Sequence, residues 1–268
     1  MESREDEKYV KNYCKKNDIE CYVKRIDIQK VAKDKKIGTE EAGRIERYKF
    51  FDEILQKTGS NKIGIAHNKN DKVETIIMHI LRGSGLSGLK GIEPIRDGLY
   101  IRPLIECDRP EIEQYCEKQN LQPRIDKTNF ENEYTRNKIR NVVIPYIQQE
   151  FNSNIIETVN RLSEVITDEN NYMDKITKEK YNKILIEQKE NQIVLKLKEF
   201  NELDEVIKNR MILFATKQLM GSSQGVEKIH IKDIIKLCNN NIGNKFLTPN
   251  KNLKVLVKDK KIYMICSV

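Results

Sequence analysis

KIGIAHNKNDKVETIIMHILRGSGLSGLKGIEPI, residues 62–95, holds a short apolar run, an amphipathic segment and a glycine-rich tail in succession. Ile63 and Ile65, with the small Gly64 and Ala66, make a short apolar run of the kind expected of a buried parallel strand. A helix is predicted almost at once, because Val73, Ile76, Ile77, Ile80 and Leu81 repeat at i, i+3, i+4, i+7 and i+8. Asp71 with Glu74 three residues on has the spacing of a capping box at its start. His67, Asn68, Asn70 and Asp71 therefore fall where a strand ends and a helix begins. In open α/β sheets ligands bind there, since helix N-termini present unpaired N–H groups to the crevice.

Gly83, Gly85 and Gly88 spell G-x-G-x-x-G. A dinucleotide fingerprint follows a strand and opens a helix, whereas this one follows a helix. Gly83 is instead expected as a left-handed helix cap, and the segment as a turn with close backbone approach.

Working outward, 268 residues suffice for two modest domains, each with its own core. A net charge of +8 with 34% charged residues makes an anionic partner plausible, although a lysine-rich composition gives the same number. The basic excess is spread over both halves of the chain. Cys14, Cys21, Cys107, Cys116, Cys238 and Cys266 form no C-x-x-C pair and no metal-like cluster with His67, His79 or His230. They read as buried small hydrophobes in a reducing compartment. No apolar run approaches the roughly 20 residues of a membrane span, and MESREDEK is not a signal peptide, so a cytoplasmic protein without membrane contact is expected.

The chain should open on a helix around Tyr9 to Cys14, then a strand from Ile19 to Ile28. A second helix, Thr39 to Lys57, turns Ile45, Tyr48, Phe51 and Leu55 inward and carries Arg44 and Arg47 on a neighbouring face. After the organising stretch come a strand from Leu99 to Leu104 and a helix opened by Asp108, Pro110 and Glu111, with Ile112, Tyr115 and Cys116 buried and Asn120 as its stop. Residues 124–145 are dense in Asp, Asn and Arg, a composition usual for a solvated loop and helix start. Beyond Phe151 a long helix to about Leu185 holds the expected domain boundary. It is followed by a strand (Ile193 to Leu197), helices (Leu203 to Met220, Ile231 to Cys238), the segment Lys245 to Thr248, and a hairpin pairing Leu253 to Val257 with Ile262 to Ile265. The expected class is α/β: a doubly wound parallel sheet, incomplete at its start, in residues 1–150, a linker helix in 151–185, and a smaller α+β domain in 186–268.

AHNKNDKVETIIMHILRGSGLSGLKGI resembles the tRNA(Ile)-lysidine synthase pattern A-H-H-x-x-D-Q-x-E-T followed by L-x-R-G-x-G-x-x-G-L-x-G-M. Three further stretches agree in order. EEAGRIERYKFF is similar to the family's E-A-x-R-x-x-R-Y helix, IRPLIECDRPEIEQYCEKQNL to its R-P-L-L segment, and IDKTNFENEYTRNKIRNVVIP to its D-x-x-N and R-N-x-I-R segments. The resemblance implies a fold like the adenine nucleotide alpha hydrolases and a ligase forming a carbon–nitrogen bond. ATP, with Mg²⁺, adenylates the C2 oxygen of the wobble cytidine of a CAU-anticodon tRNA(Ile). The ε-amine of free L-lysine then displaces AMP, so that codon reading changes from AUG to AUA. A homodimer is left open. By the same resemblance Asp71 and Glu74 would hold an ammonium group, Arg47 and Arg136 would neutralise a carboxylate or phosphate, and His67 would exchange a hydrogen bond nearby. Asp71 is then expected within about 10 Å of Arg47 or Arg136. Read alone, Asp71 and Glu74 are a helix cap, Arg47 and Arg136 solvent-facing arginines, and His67 a strand-end residue bonded to backbone.

The match departs from the pattern at Asn68 for the second His, Lys72 for Gln, and Asn141 where a His often follows. No S-G-G-x-D-S stretch, the family's phosphate loop, and no G-x-x-x-x-G-K-[ST] occurs in residues 1–268. The nucleotide-binding residues are therefore not assigned, and the sequence is expected to start about one strand–helix unit late. Two other readings remain: a tRNA thiolation enzyme of the same superfamily, whose iron–sulfur members need a cysteine cluster, and a non-catalytic tRNA-binding remnant.

Overall fold

The computed structural model describes residues 2–124, 131, 132, 134–223, 225–240 and 245–266. The chain divides into two compact units, Met1–Glu164 and Val165–Val268, and the division falls inside one long helix. 

The first unit runs α1 (Glu2–Lys16), α2 (Ile28–Lys35), α3 (Thr39–Thr58), β1 (Ile63–Gly64), α4 (Lys69–Leu81), α5 (Leu86–Leu89), β2 (Ile95–Arg96), β3 (Tyr100–Ile101) and α6 (Arg109–Lys118). After it come α7 (Thr135–Lys138), a π-helical turn (Ile139–Val143), α8 (Ile144–Glu150) and the start of α9 (Ile155–Ile184). The sheet order is β1-β3-β2. β1 pairs parallel to β3, with Ile63 opposite Tyr100, and the ladder extends as Ile65 N–H donates to Ile101 O at 2.9 Å. β2 pairs antiparallel to β3.

The unit is thus α/β, but among the described residues its sheet is mixed and three-stranded, not a doubly wound parallel one. The cause is local. Asp97 and Gly98 both take positive φ (55° and 64°), which closes a tight hairpin and fixes β2 and β3 antiparallel. β1 is also less buried than a central parallel strand: Ile63 and Ile65 are half-buried, Gly64 and Ala66 exposed. Residues 19–27 form no ladder among the described residues, because alternation supplies a face but not a pairing partner. Ile28, expected to end that strand, opens α2 instead, capped by Asp27, whose side chain accepts from Lys30 N–H at 3.0 Å.

α4 is held at both ends. Its N-cap is Asn68, whose side chain accepts from Asp71 N–H at 2.9 Å, while Asp71 Oδ2 accepts from Asn68 N–H at 3.0 Å. The capping box is therefore Asn68–Asp71, one turn earlier than the Asp71–Glu74 spacing suggested, and Glu74 is released for another role. At the C-terminus Gly83 takes φ +70°, with Gly83 N–H bonded to Ile80 O and Ser84 N–H to His79 O, a Schellman pattern. A Cβ on Gly91, at φ +69°, would stand 2.8 Å from Ile76 Cγ1, the close approach expected of this glycine-rich turn. Val73, Ile76 and Ile77 of α4 join Ile139, Ile144 and Val159 in the apolar core of this unit.

α6 begins with the expected box, Asp108 capping Glu111 N–H and Glu111 Oε2 accepting from Asp108 N–H. Asn120 takes φ 52° as its stop. Tyr115 is exposed, not buried. The polar run gives a continuous helical stretch from Thr135 to Glu150, so it is more than a loop with a helix start. Within it Ile144 N–H donates to Ile139 O five residues back, just before Pro145, which has no N–H to offer. Asp126 and Asn129, quoted for the family's D-x-x-N segment, lie outside the described residues.

The second unit contains the rest of α9, then β4 (Leu185–Lys189), β5 (Gln192–Lys196), α10 (Leu197–Asn201), α11 (Glu205–Met220), α12 (Lys228–Asn240), β6 (Lys245–Asn250), β7 (Leu253–Lys258) and β8 (Lys261–Cys266). Its antiparallel sheet has the order β4-β5-β8-β7-β6. One face, with Ile193, Leu195, Leu253, Val255, Val257, Ile262 and Met264, buries against Phe200, Met211, Ile212, Ile234 and their neighbours. Of the six cysteines, all free, only Cys238 is fully buried. No described helix is long and apolar enough to cross a membrane.

Candidate active site

The N-terminal turn of α4 carries two carboxylates and meets two guanidiniums from the helical stretch after Tyr134. Arg136 Nε donates to Glu74 Oε2 at 2.8 Å, and its Nη2 reaches Asp71 Oδ1 at 3.1 Å. Arg140 Nε donates to Glu74 Oε1 at 2.6 Å, and its Nη2 bridges Glu74 Oε2 at 2.8 Å and Asp71 Oδ1 at 3.0 Å. The spacings explain the fit: Asp71 and Glu74 lie three apart and Arg136 and Arg140 four apart, so each pair projects from one helix face. Asp71 serves twice, Oδ2 as cap and Oδ1 as ion pair.

Burial makes this arrangement obligatory. The Glu74 side chain is 1% exposed, Arg140 18% and Arg136 33%. A carboxylate removed from water this completely needs opposite charge and hydrogen bonds around both oxygens, and the forked guanidiniums supply them. The hydrogen bonds that Arg140 donates to Glu74, opposed by burial, hold its guanidinium above its ordinary pKa.

His67 stands half-buried between the end of β1 and the cap of α4. Its Nδ1 lies 3.2 Å from Arg102 Nε. Burial pushes the imidazole pKa below its ordinary value; Asp71 pulls it up, and Arg102, Arg136 and Arg44 push it further down. The ring is therefore neutral near pH 7. Arg102 is buried, and its Nη1 donates to the backbone carbonyl of Glu93.

The PP-loop domain family model matches residues 1–147. The chain belongs to the PP-loop domain family. Within it, this PP-loop chain is 49% identical over 245 residues to the tRNA(Ile)-lysidine synthase of Clostridium acetobutylicum, covering 91% of this chain and 53% of that protein. It is 44% identical over 251 residues to that of Clostridium tetani (94% and 53%) and 41% over 264 residues to that of Clostridioides difficile (98% and 57%). The chain thus spans about half the length of the curated relatives it matches.

Of the expected site residues, the structure brings together Asp71, Glu74 and Arg136 directly, while His67 stands just before the cap of α4. It does not bring Arg47 into this cluster: Arg47 is exposed on α3, without hydrogen bond or ion pair among the described residues. Arg44, three residues earlier on the same helix face, finds an aromatic partner instead. Its guanidinium lies 5.1 Å from the Tyr48 ring and acts on His67. Two residues went unassigned by the sequence reading. Arg140 carried a usable signal, the R-x-x-x-R spacing opposite D-x-x-E. Arg102 carried none beyond its place in the R-P-L segment, since its burial depends on residues far along the chain.

Proposed function

We propose that the protein is a tRNA(Ile)-lysidine synthase, using ATP to ligate free lysine to C2 of the wobble cytidine of a CAU-anticodon tRNA(Ile). The observation that carries this reading is the Asp71–Glu74–Arg136–Arg140 quartet at the N-terminus of α4, at the carboxyl end of β1. It is supported by the 49% identity to a tRNA(Ile)-lysidine synthase over most of this chain.

In this reading Asp71 and Glu74 receive the lysine ammonium. Their charges are already balanced by two guanidiniums, so an incoming ammonium makes the group net cationic and favours an anion beside it. Arg136, the more exposed guanidinium, is the one placed to turn toward a phosphate or carboxylate while Arg140 keeps Glu74 neutralised. His67, neutral, supplies a hydrogen bond and no added charge. Among the described residues no group of three potential metal ligands occurs, and both site carboxylates are engaged by arginine, so no step is assigned to Mg²⁺.

The test is to incubate the full gene product with ATP, Mg²⁺, lysine and the CAU-anticodon tRNA, and to follow AMP release and lysidine by nucleoside analysis. Lysine-dependent formation of both is expected. AMP release without lysine incorporation, or incorporation of sulfur in its place, would contradict the reading.

A further inference from the structure

Arg102 is an unusual place to bury a positive charge. The residue is 7% exposed, and no carboxylate among the described residues forms an ion pair with it. Burial lowers its pKa, Arg96 and Arg44 oppose its charge further, and Tyr48 and the Glu93 carboxylate offset only part of this. A buried guanidinium without a direct ion pair is costly, and such groups concentrate where a site needs them. Its described side-chain partners are two neutral acceptors, Glu93 O at Nη1 and His67 Nδ1 at Nε. The backbone around it is pinned as well: Arg102 N–H donates to Pro94 O at 2.9 Å and Ile105 N–H to Arg102 O at 3.2 Å.

The direction of the contact with His67 follows from the chemistry of the two groups. An arginine keeps the proton on Nε at any pH a protein survives, so Nε can only donate. His67 Nδ1 must then present a lone pair, and the ring proton must sit on Nε2. The backbone constrains the same ring, since His67 N–H donates to Ile65 O at 2.9 Å and the next residue caps α4.

We propose that Arg102 is a positioning residue that locks His67 as its Nε2–H tautomer, so that the crest of β1 offers a neutral hydrogen-bond donor and not a base. The inference deepens the reading given under Proposed function and rests on it for the identity of the group that accepts from Nε2–H. That group carries developing negative charge, as a phosphate oxygen or the cytidine oxygen leaving with AMP does.

The lock can be read without turnover. The chain has three histidines, so ¹⁵N-histidine labelling of the full gene product gives three ring systems, and His67→Gln identifies the one of interest. The expected result is a His67 ring with Nδ1 in the unprotonated range and Nε2 protonated, unchanged from pH 8 down to about pH 6.5. In Arg102→Met the two nitrogens should move toward tautomer-averaged values and the ring should titrate at higher pH, because a neighbouring cation is gone. Should Arg102→Met fail to fold, Arg102→Lys keeps the charge but loses the planar Nε donor, with the His79 and His230 signals as the check on folding. In the lysidine assay Arg102→Lys is expected to lower kcat by about 10²-fold with little change in KM for lysine. A proton on His67 Nδ1 in the unaltered protein would overturn the proposal even if lysidine is made. The predicted tautomer in a protein that makes no lysidine would leave the lock standing and refute only the proposed function.

Discussion

The two units bury different things. In the second, a five-stranded sheet and its helices enclose a continuous apolar core from Tyr181 to Met264. In the first, the apolar cluster around Val73, Ile76 and Ile139 is small, and Lys72, Glu74 and Arg102 are buried beside it. A unit that only has to fold does best by excluding charge; one that keeps charge inside accepts desolvation costs that are usually offset by a site. The contrast is the physical ground for proposing the site at α4.

The largest effects should come from emptying each kind of core. Glu74→Gln removes the more deeply buried of the two carboxylates that hold Arg136 and Arg140 and leaves them Asp71 alone, a loss of about 3–5 kcal/mol. Phe200→Ala, 1% exposed in the second unit, should cost about the same by leaving a cavity. Urea denaturation measures both. The comparison predicts that Glu74→Gln also abolishes lysine-dependent turnover, whereas Phe200→Ala retains it per folded molecule. Turnover lost equally in both would break it.

Gly91→Ala should come next, at about 1–3 kcal/mol, because the added Cβ meets Ile76 and the residue needs positive φ. A melting temperature unchanged by this substitution would mean the turn after α5 yields easily. A weaker effect is expected from pH. His67 has its pKa lowered in the folded state, so its unfolded form binds protons more readily. The stability it contributes is complete above its ordinary value near 6.5 and is lost as pH falls through the folded pKa below that. Denaturation midpoints compared between pH 8 and pH 5 should show this decline, and His67→Gln should remove that part of the slope.

What could be read from sequence was what local chemistry decides. The helix over Val73 to Leu81, the Asp108 cap with Pro110, and the Gly83 stop each depend on neighbours a few residues away and each formed as read, but the stripe buries only Val73, Ile76 and Ile77, with Ile80 and Leu81 exposed. The α4 start was misplaced by one turn because Asn68–Asp71 and Asp71–Glu74 both offer cap spacing, and only the helix entry at Lys69 selects between them. The Asp97-Gly98 turn was a legible hairpin signal that went unused, so β2 was missed and β3 read too long. Arg102 and Arg140 depended on pairing across 35 and 66 residues, which no periodicity encodes. Arg44 and Arg47 share a face by spacing, but which of them finds a partner depends on the aromatic ring of Tyr48, which spacing does not encode.

The substitution expected to disturb the fold least is also the most direct test. Asp71→Asn keeps an oxygen for the Asn68 cap and leaves Glu74 to hold both arginines, so a stability change of about 1 kcal/mol is expected. It removes the charge proposed to receive the lysine ammonium, while phosphate contacts of tRNA lie elsewhere. In the full gene product, kcat/KM for lysine should fall at least about 10²-fold, a loss of roughly 3 kcal/mol, with the tRNA dissociation constant within about twofold of the unaltered protein. Equal losses in lysine use and tRNA binding, or a kinetic loss explained wholly by unfolding, would contradict the account and return Asp71 to the role of a helix cap.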